Sequence, residues 1–149
     1  MPIYYVTNKK PLSHNKGGSK REYKQMLRDE FGTKYARLYN GLPIQKEILQ
    51  SNIVYIHQVK DECMPDVDNL SKPIVDAFSG VMYRDDSQII KRSALRLKRS
   101  EFQFVTIDAT NMPAEIYDDL MEYYDNKETH IVLFEVDRVS LGTIKVGEF

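Results

Sequence analysis

Cysteine is almost missing from this chain. A single one, Cys63, excludes an internal disulfide framework and argues against a structural zinc site. Long apolar runs are missing too: stretches such as IVLF at 131–134 fall far short of the roughly 20 residues that span a bilayer. The opening MPIYYVTNKKP holds too short an apolar run for a secretory signal, so a cytoplasmic protein without a membrane partner is expected. The three histidines, His14, His57 and His130, are scattered without HxxxH or HxH spacing and are expected to be structural or exposed. Neither GxGxxG nor a Walker A loop occurs, since Gly17–Gly18 lacks the rest of either pattern. An EF-hand would need an oxygen ligand where Leu70 stands and a glycine where Ser71 stands.

Net charge is also small, at −1 over 149 residues, a length that suits one domain across 1–149. The total hides a gradient. Residues 1–60 hold 11 Lys and Arg against 4 Asp and Glu, residues 61–107 hold 7 against 8, and residues 108–149 hold 3 against 10. A basic front followed by an acidic centre suits a protein that grips a polyanion and holds a metal beside it, though such asymmetry also serves solubility.

The apolar pattern predicts a first strand at IYYV (3–6) and a loop over 9–18. Ser19 and Glu22 form a capping-box pattern ahead of Tyr23, Met26, Leu27 and Phe31, which follow at helical spacing until Gly32 is expected to stop the helix. TKYARLY adds a helical turn before Asn40–Gly41, and 44–49 is ambiguous. IVYIHQV (53–59) predicts a central strand, and a helix is expected near 68–79 with Leu70, Ile74, Ala77 and Phe78 inward. Pro73 fits that helix only in its first turn. Residues 92–98 alternate, placing Arg92, Ala94, Arg96 and Lys98 on one strand face. EFQFVTI (101–107) and HIVLFEV (130–136) read as strands, with an acidic helix in MPAEIYDDLMEYYD between them.

Five carboxylates and one lysine fall within 21 positions: Asp66, Asp68, Lys72, Asp76, Asp85 and Asp86. Carboxylates repel, so a fold that gathers them needs a compensating charge, and a hard divalent cation with oxygen ligands is the usual one. Asp66 and Asp68 can share an ion, and Asp68 can also cap the helix. Asp68, Lys72 and Asp76 recur at four-residue intervals on one helix face. They form either a solvated ion-pair stripe, worth about 0.3–0.5 kcal/mol per pair, or an ammonium set beside a metal to hold a phosphate. Asp85–Asp86 are expected to open the next strand after a turn at Gly80, returning beside 66–68 and either exposed or binding metal. A lone D-x-D also marks sugar-nucleotide transferases, for which this chain is short, and phosphatases whose DxDxT threonine is absent here.

DVDNLSKPIVDAF followed by YRDDSQI resembles the RusA family of Holliday-junction endonucleases, often carried by phages and prophages. The shared pattern, D-x-D-N-L-x-K-x3-D-A and then D-D-[SA]-Q-[VI], covers residues 66–89. The resemblance implies an α+β subunit, with a mixed sheet and two or three helices, that forms a homodimer. It further implies cutting of four-way junction DNA with Mg²⁺, Mn²⁺ being able to substitute. Carried across by position, Asp66, Asp68 and Asp86 are the catalytic, metal-holding carboxylates, with Lys72 the essential lysine. Asp85 assists at the metal, and Asp76 is secondary. Phosphate contacts are assigned to Lys16, Lys20, Arg21 and Lys24 in the basic front and to Arg92, Arg96 and Lys98 on the strand. The 16 Phe and Tyr suggest an aromatic dimer interface. Pro73 departs from the family pattern. The stretch 108–149 is either an acidic extension, or 100–129 is an insertion and 130–136 the family's last strand. Two competing readings are a non-cleaving branched-DNA binder and a metal-dependent hydrolase of small phosphoesters.

Overall fold

The computed structural model describes residues 2–12, 20–58, 66–100 and 106–139. Its elements run β1 (Ile3–Thr7), α1 (Lys20–Lys34), β2 (Leu49–His57), α2 (Val67–Ala77), β3 (Ile89–Lys98), α3 (Ala114–Asp125) and β4 (His130–Arg138). The sheet order is β1-β4-β2-β3. β2 and β3 pair in parallel, and the other neighbours are antiparallel, so the sheet is mixed and the fold α+β as expected. β4 lies between β1 and β2, and its run Ile131–Phe134 is buried on both faces, which is why it reads as continuous rather than alternating. The chain beyond 108 therefore supplies an inner strand of the sheet.

β2, α2 and β3 form a strand–helix–strand crossover, the connection that parallel neighbours require. α1 and α2 cover one sheet face, where Tyr5 of β1, Phe31 of α1, Phe78 at the end of α2 and Phe134 of β4 meet. Phe78 sits 5.1 Å from Tyr5, 5.6 Å from Phe31 and 5.6 Å from Phe134 between ring centroids. This cluster locks the exit of α2 to the sheet. α3 lies against the other face, over Ile56. No helix among the described residues is long and apolar enough to cross a membrane.

Several local expectations change. α1 runs through Gly32 to Lys34, because Phe31 and Tyr35 on either side are buried and that packing outweighs the roughly 1 kcal/mol glycine penalty. Pro73 sits in the interior of α2, not its first turn, so the Asn69 carbonyl lacks its intrahelical donor. A 3-10 turn at Ala36–Leu38 supplies the extra helical turn. β3 starts at Ile89, so Asp85–Asp86 precede it in a 3-10 turn instead of opening it. Ten of the aromatics (Tyr4, Tyr5, Tyr23, Phe31, Tyr35, Tyr55, Phe78, Tyr83, Tyr123 and Phe134) are buried within the one subunit, so an aromatic surplus is no argument for an interface. Ser19, Cys63, Lys16 and all but the end of 101–107 lie outside the described residues.

Candidate active site

The inward face of α2 carries Leu70, Ile74, Val75 and Ala77, all buried, and this turns Asp68, Lys72 and Asp76 outward. Asp66, not Asp68, is the N-cap. Its backbone carbonyl accepts from the Leu70 N–H at 2.9 Å, but its carboxylate makes no capping bond, which leaves both oxygens available. At the other end, Arg28 of α1 closes the helix: its Nε donates to the Ala77 carbonyl at 2.5 Å and its Nη2 to the Ser79 carbonyl at 3.0 Å. The chain then reverses through Gly80, whose φ of +84° favours glycine, while the Tyr83 hydroxyl donates to the Val75 carbonyl at 2.5 Å.

That reversal carries Asp86 to the C-terminal half of α2, beside Asp76, and not back beside 66–68 as expected. The Asp86 carboxyl is held above its ordinary range, first by a hydrogen bond with Asp76, then by burial and by repulsion from Asp76 and Asp85, against a lowering by Arg92. Asp76 is also approached by Lys24 Nζ at 3.8 Å and Lys72 Nζ at 3.9 Å. Asp66 and Asp68 stand at the other end of the helix. Asp68 is two turns, about 12 Å, from Asp76 along the axis. Asp66 and Asp68 line a hollow of about 280 Å³ with Arg96, and Asp68 and Lys72 line a second, of about 380 Å³, with Arg92 and Ala94. Arg92, Ala94 and Arg96 thus share one face of β3, as its alternation predicts, and the fold sets that face beside α2. Lys20 and Arg21 are exposed at the start of α1, and Lys98 lies beyond Arg96 at the sheet end.

Asp85 points away from this convergence. Its carboxylate accepts from the Ser87 hydroxyl, which holds it below its ordinary range. Gln88, quoted within the motif but given no role there, organises the turn. Its Oε1 accepts from the Asp85 N–H at 3.0 Å, and its Nε2 donates to the Ile44 and Glu47 carbonyls at 3.1 Å each. One primary amide thereby ties the Asp85–Asp86 turn to the ambiguous stretch 44–49, which Ile44 further pins through Met82 (3.0 Å) and Arg84 (2.9 Å). A glutamine at this spacing from an aspartate pair is the only sequence signal for that role.

The sequence model of the Endodeoxyribonuclease RusA family matches residues 19–110. This chain belongs to that family. No individual curated protein matches it. The matched span contains α1, β2, α2 and β3, hence every acidic and basic group just described, and leaves β1, α3 and β4 outside. The family's nucleases are generally dependent on a divalent metal. Two surface carboxyl groups within hydrogen-bond reach offer the hard oxygen donors that such a cation takes. Among the described residues, no three His, Cys, Asp or Glu side chains gather closely enough to enclose one.

Proposed function

We propose that this endodeoxyribonuclease resolves four-way DNA junctions by paired symmetric nicks, acting with Mg²⁺, or Mn²⁺ in its place, as a cytoplasmic homodimer of phage or prophage origin. The observation that carries the reading is the convergence of Asp86 on Asp76 and Lys72 inside the family-matched span. Asp86 and Asp76 would hold the ion, with Asp85 at its margin, while Asp66 and Asp68, about 12 Å away along the helix, would extend the acidic face beside it. When bound, a divalent ion supplies a nucleophilic water at neutral pH and offsets charge on the phosphate.

The chain's own groups do the rest. Lys72 is 74% exposed in its side chain, so its ammonium can leave Asp76 for a scissile phosphate and stabilise the departing oxygen. Arg92 and Arg96, beside the acidic face, hold flanking phosphates, and Lys20, Arg21 and Lys24 extend that grip along α1. Open hollows flanking the helix suit a polymer better than a small ester. Each subunit carries the motif once, so two coordinated cuts need two subunits related by a two-fold axis.

The test is to incubate the protein with labelled four-way and linear duplex DNA, with Mg²⁺ and with EDTA. Symmetric nicks in the junction alone, abolished by EDTA, are expected. Equal cutting of both substrates would remove the junction specificity, and cutting of neither would remove the activity.

A further inference from the structure

A basic hollow of about 250 Å³ opens at the sheet end where β2 and β3 finish and α3 turns into β4, lined by Gln58, Lys98, Arg99, Ser100 and Lys127. Among the described residues, five line it: three are cations, the other two are neutral donors, and none of these five is a carboxylate. We infer that this hollow is a phosphodiester-binding subsite for an arm of the DNA, with Lys127 and Arg99 as its principal contacts. The inference rests on the proposed DNA-cutting reading and extends it to a part of the chain beyond the family match, which ends at residue 110.

The backbone supplies the first argument. α3 ends in a Schellman arrangement, with the Lys127 N–H bonded to the Tyr124 carbonyl and the Glu128 N–H to the Tyr123 carbonyl, both at 3.1 Å. That places Lys127 in the left-handed region at φ 54°, the only non-glycine so placed among the described residues. Glycine is the favoured residue at this position. A lysine kept there at conformational cost implies that its side chain is used. The Lys127 carbonyl also accepts from Gln58 Nε2 at 3.3 Å, so the end of β2 holds the turn over the hollow.

Arg99 supplies the second. Its guanidinium lies 4.1 Å from the centre of the Tyr124 ring, and Nη2 donates to the Tyr124 carbonyl, so the fork is set before any ligand arrives. Nη1 is buried and has no hydrogen-bond acceptor among the described residues, so the guanidinium carries an unmet donor behind the wall of the hollow. Position supplies the third. Arg99 follows Arg96 by three residues, about 10 Å of strand, and Arg96 shares its hollow with Asp66 and Asp68. Arg99 stacks on α3 while Arg96 faces α2, so DNA held here would pass around the sheet end to reach the acidic face.

Lys127→Gly separates this role from folding, because glycine removes the cation and suits the left-handed backbone. The unfolding temperature should hold or rise. Affinity for a labelled four-way junction in EDTA should fall several-fold, with the log–log salt slope shallower by about 0.9. Lys127→Arg should restore both, and Lys46→Ala, in the loop at the far end of β2, should change neither. A folded Lys127→Gly protein with wild-type affinity and slope would overturn the subsite, as would an equal loss from Lys46→Ala. If wild type cuts junctions while Lys127→Gly binds like wild type, the subsite alone falls. If wild type binds DNA but cuts none, the activity falls and the Lys127→Gly slope still decides the subsite. Binding of no DNA at all would end both. Tight binding of inorganic phosphate, lost in Lys127→Gly without any change in DNA affinity, would reassign the hollow to a free anion and overturn the DNA role.

Discussion

α2 and α3 are acid-bearing helices packed on opposite faces of one sheet, and the more acidic of the two is not the one that builds the site. α3 carries Glu115, Asp118, Asp119, Glu122 and Asp125, while α2 carries only Asp68 and Asp76 after its Asp66 cap. The acids of α3 are either exposed or individually partnered. Glu115 meets Arg37 at 3.7 Å, and Asp119 accepts from the Tyr35 hydroxyl at 2.5 Å. On α2, by contrast, Asp76 meets a second carboxyl from a turn ten residues away and two lysines from two helices. Convergence of like charge from separate segments, not acidic content, marks the site.

Charge removal at the turn that meets α2 and on α3 gives the sharpest test of that contrast. Asp86→Asn should lower junction cutting by on the order of 10²–10³-fold, with junction binding intact or tighter because a negative group has left a DNA-facing surface. Asp118→Asn on α3 should leave cutting and binding unchanged. Equal losses from both, in a single-turnover assay, would erase the distinction.

A smaller loss is expected where the effect is indirect. Gln88→Glu keeps the shape of the clamp but removes its Nε2 donor to the Ile44 and Glu47 carbonyls and sets a third carboxylate by Asp85 and Asp86. Such supporting contacts are worth about 10–100-fold in metal affinity or activity. Mn²⁺ titration followed by electron paramagnetic resonance should show the weakened affinity while junction binding in EDTA is retained. Unaltered Mn²⁺ affinity would show that the clamp shapes only the 44–49 loop.

On α3 the expected cost lies in stability. Asp119→Ala leaves the buried Tyr35 hydroxyl without its acceptor and should destabilise the fold by about 1–3 kcal/mol, read by urea denaturation, while the cutting rate of the folded protein stays the same. A loss of cutting without a loss of stability would give α3 a part in the chemistry.

The smallest effect belongs to neither helix. At the sheet end, His130 pairs with His57 across β4 and β2, and its Nδ1 lies 2.7 Å from the Tyr55 hydroxyl. Burial, then Lys10 and His57, push the imidazole below its ordinary value of 6.5. The unfolded chain therefore binds the proton more readily. The contribution of His130 is complete above about pH 6.5 and is lost as pH falls from there through its lowered folded value. His130→Asn should flatten the decline in unfolding temperature between pH 7 and 5, and an unchanged decline would assign that slope to other groups.

Much of this was legible in the chain. Apolar patterning alone reveals α1, β2, α2 and β4, because a 3.6-residue apolar repeat or a short run of β-branched and aromatic side chains has few ways to be buried. The alternation of Arg92, Ala94, Arg96 and Lys98 placed those groups on one strand face, and only the fold set that face beside α2. The acid-and-lysine spacing likewise singled out the segment in which Asp76 and Asp86 meet, since residue type and local separation are properties of the chain itself. Tertiary structure decided the rest. Gly32 remained helical because Phe31 and Tyr35 are packed in the core, a contact that no local propensity contains. Asp86 met Asp76, and Gln88 found the carbonyls of Ile44 and Glu47, because the Gly80 reversal and the parallel pairing of β2 with β3 set where the turn lands. Lys127 stands beside Arg99 because β4 inserts between β1 and β2. Such meetings depend on how distant segments are brought together, and spacing along the chain does not encode them.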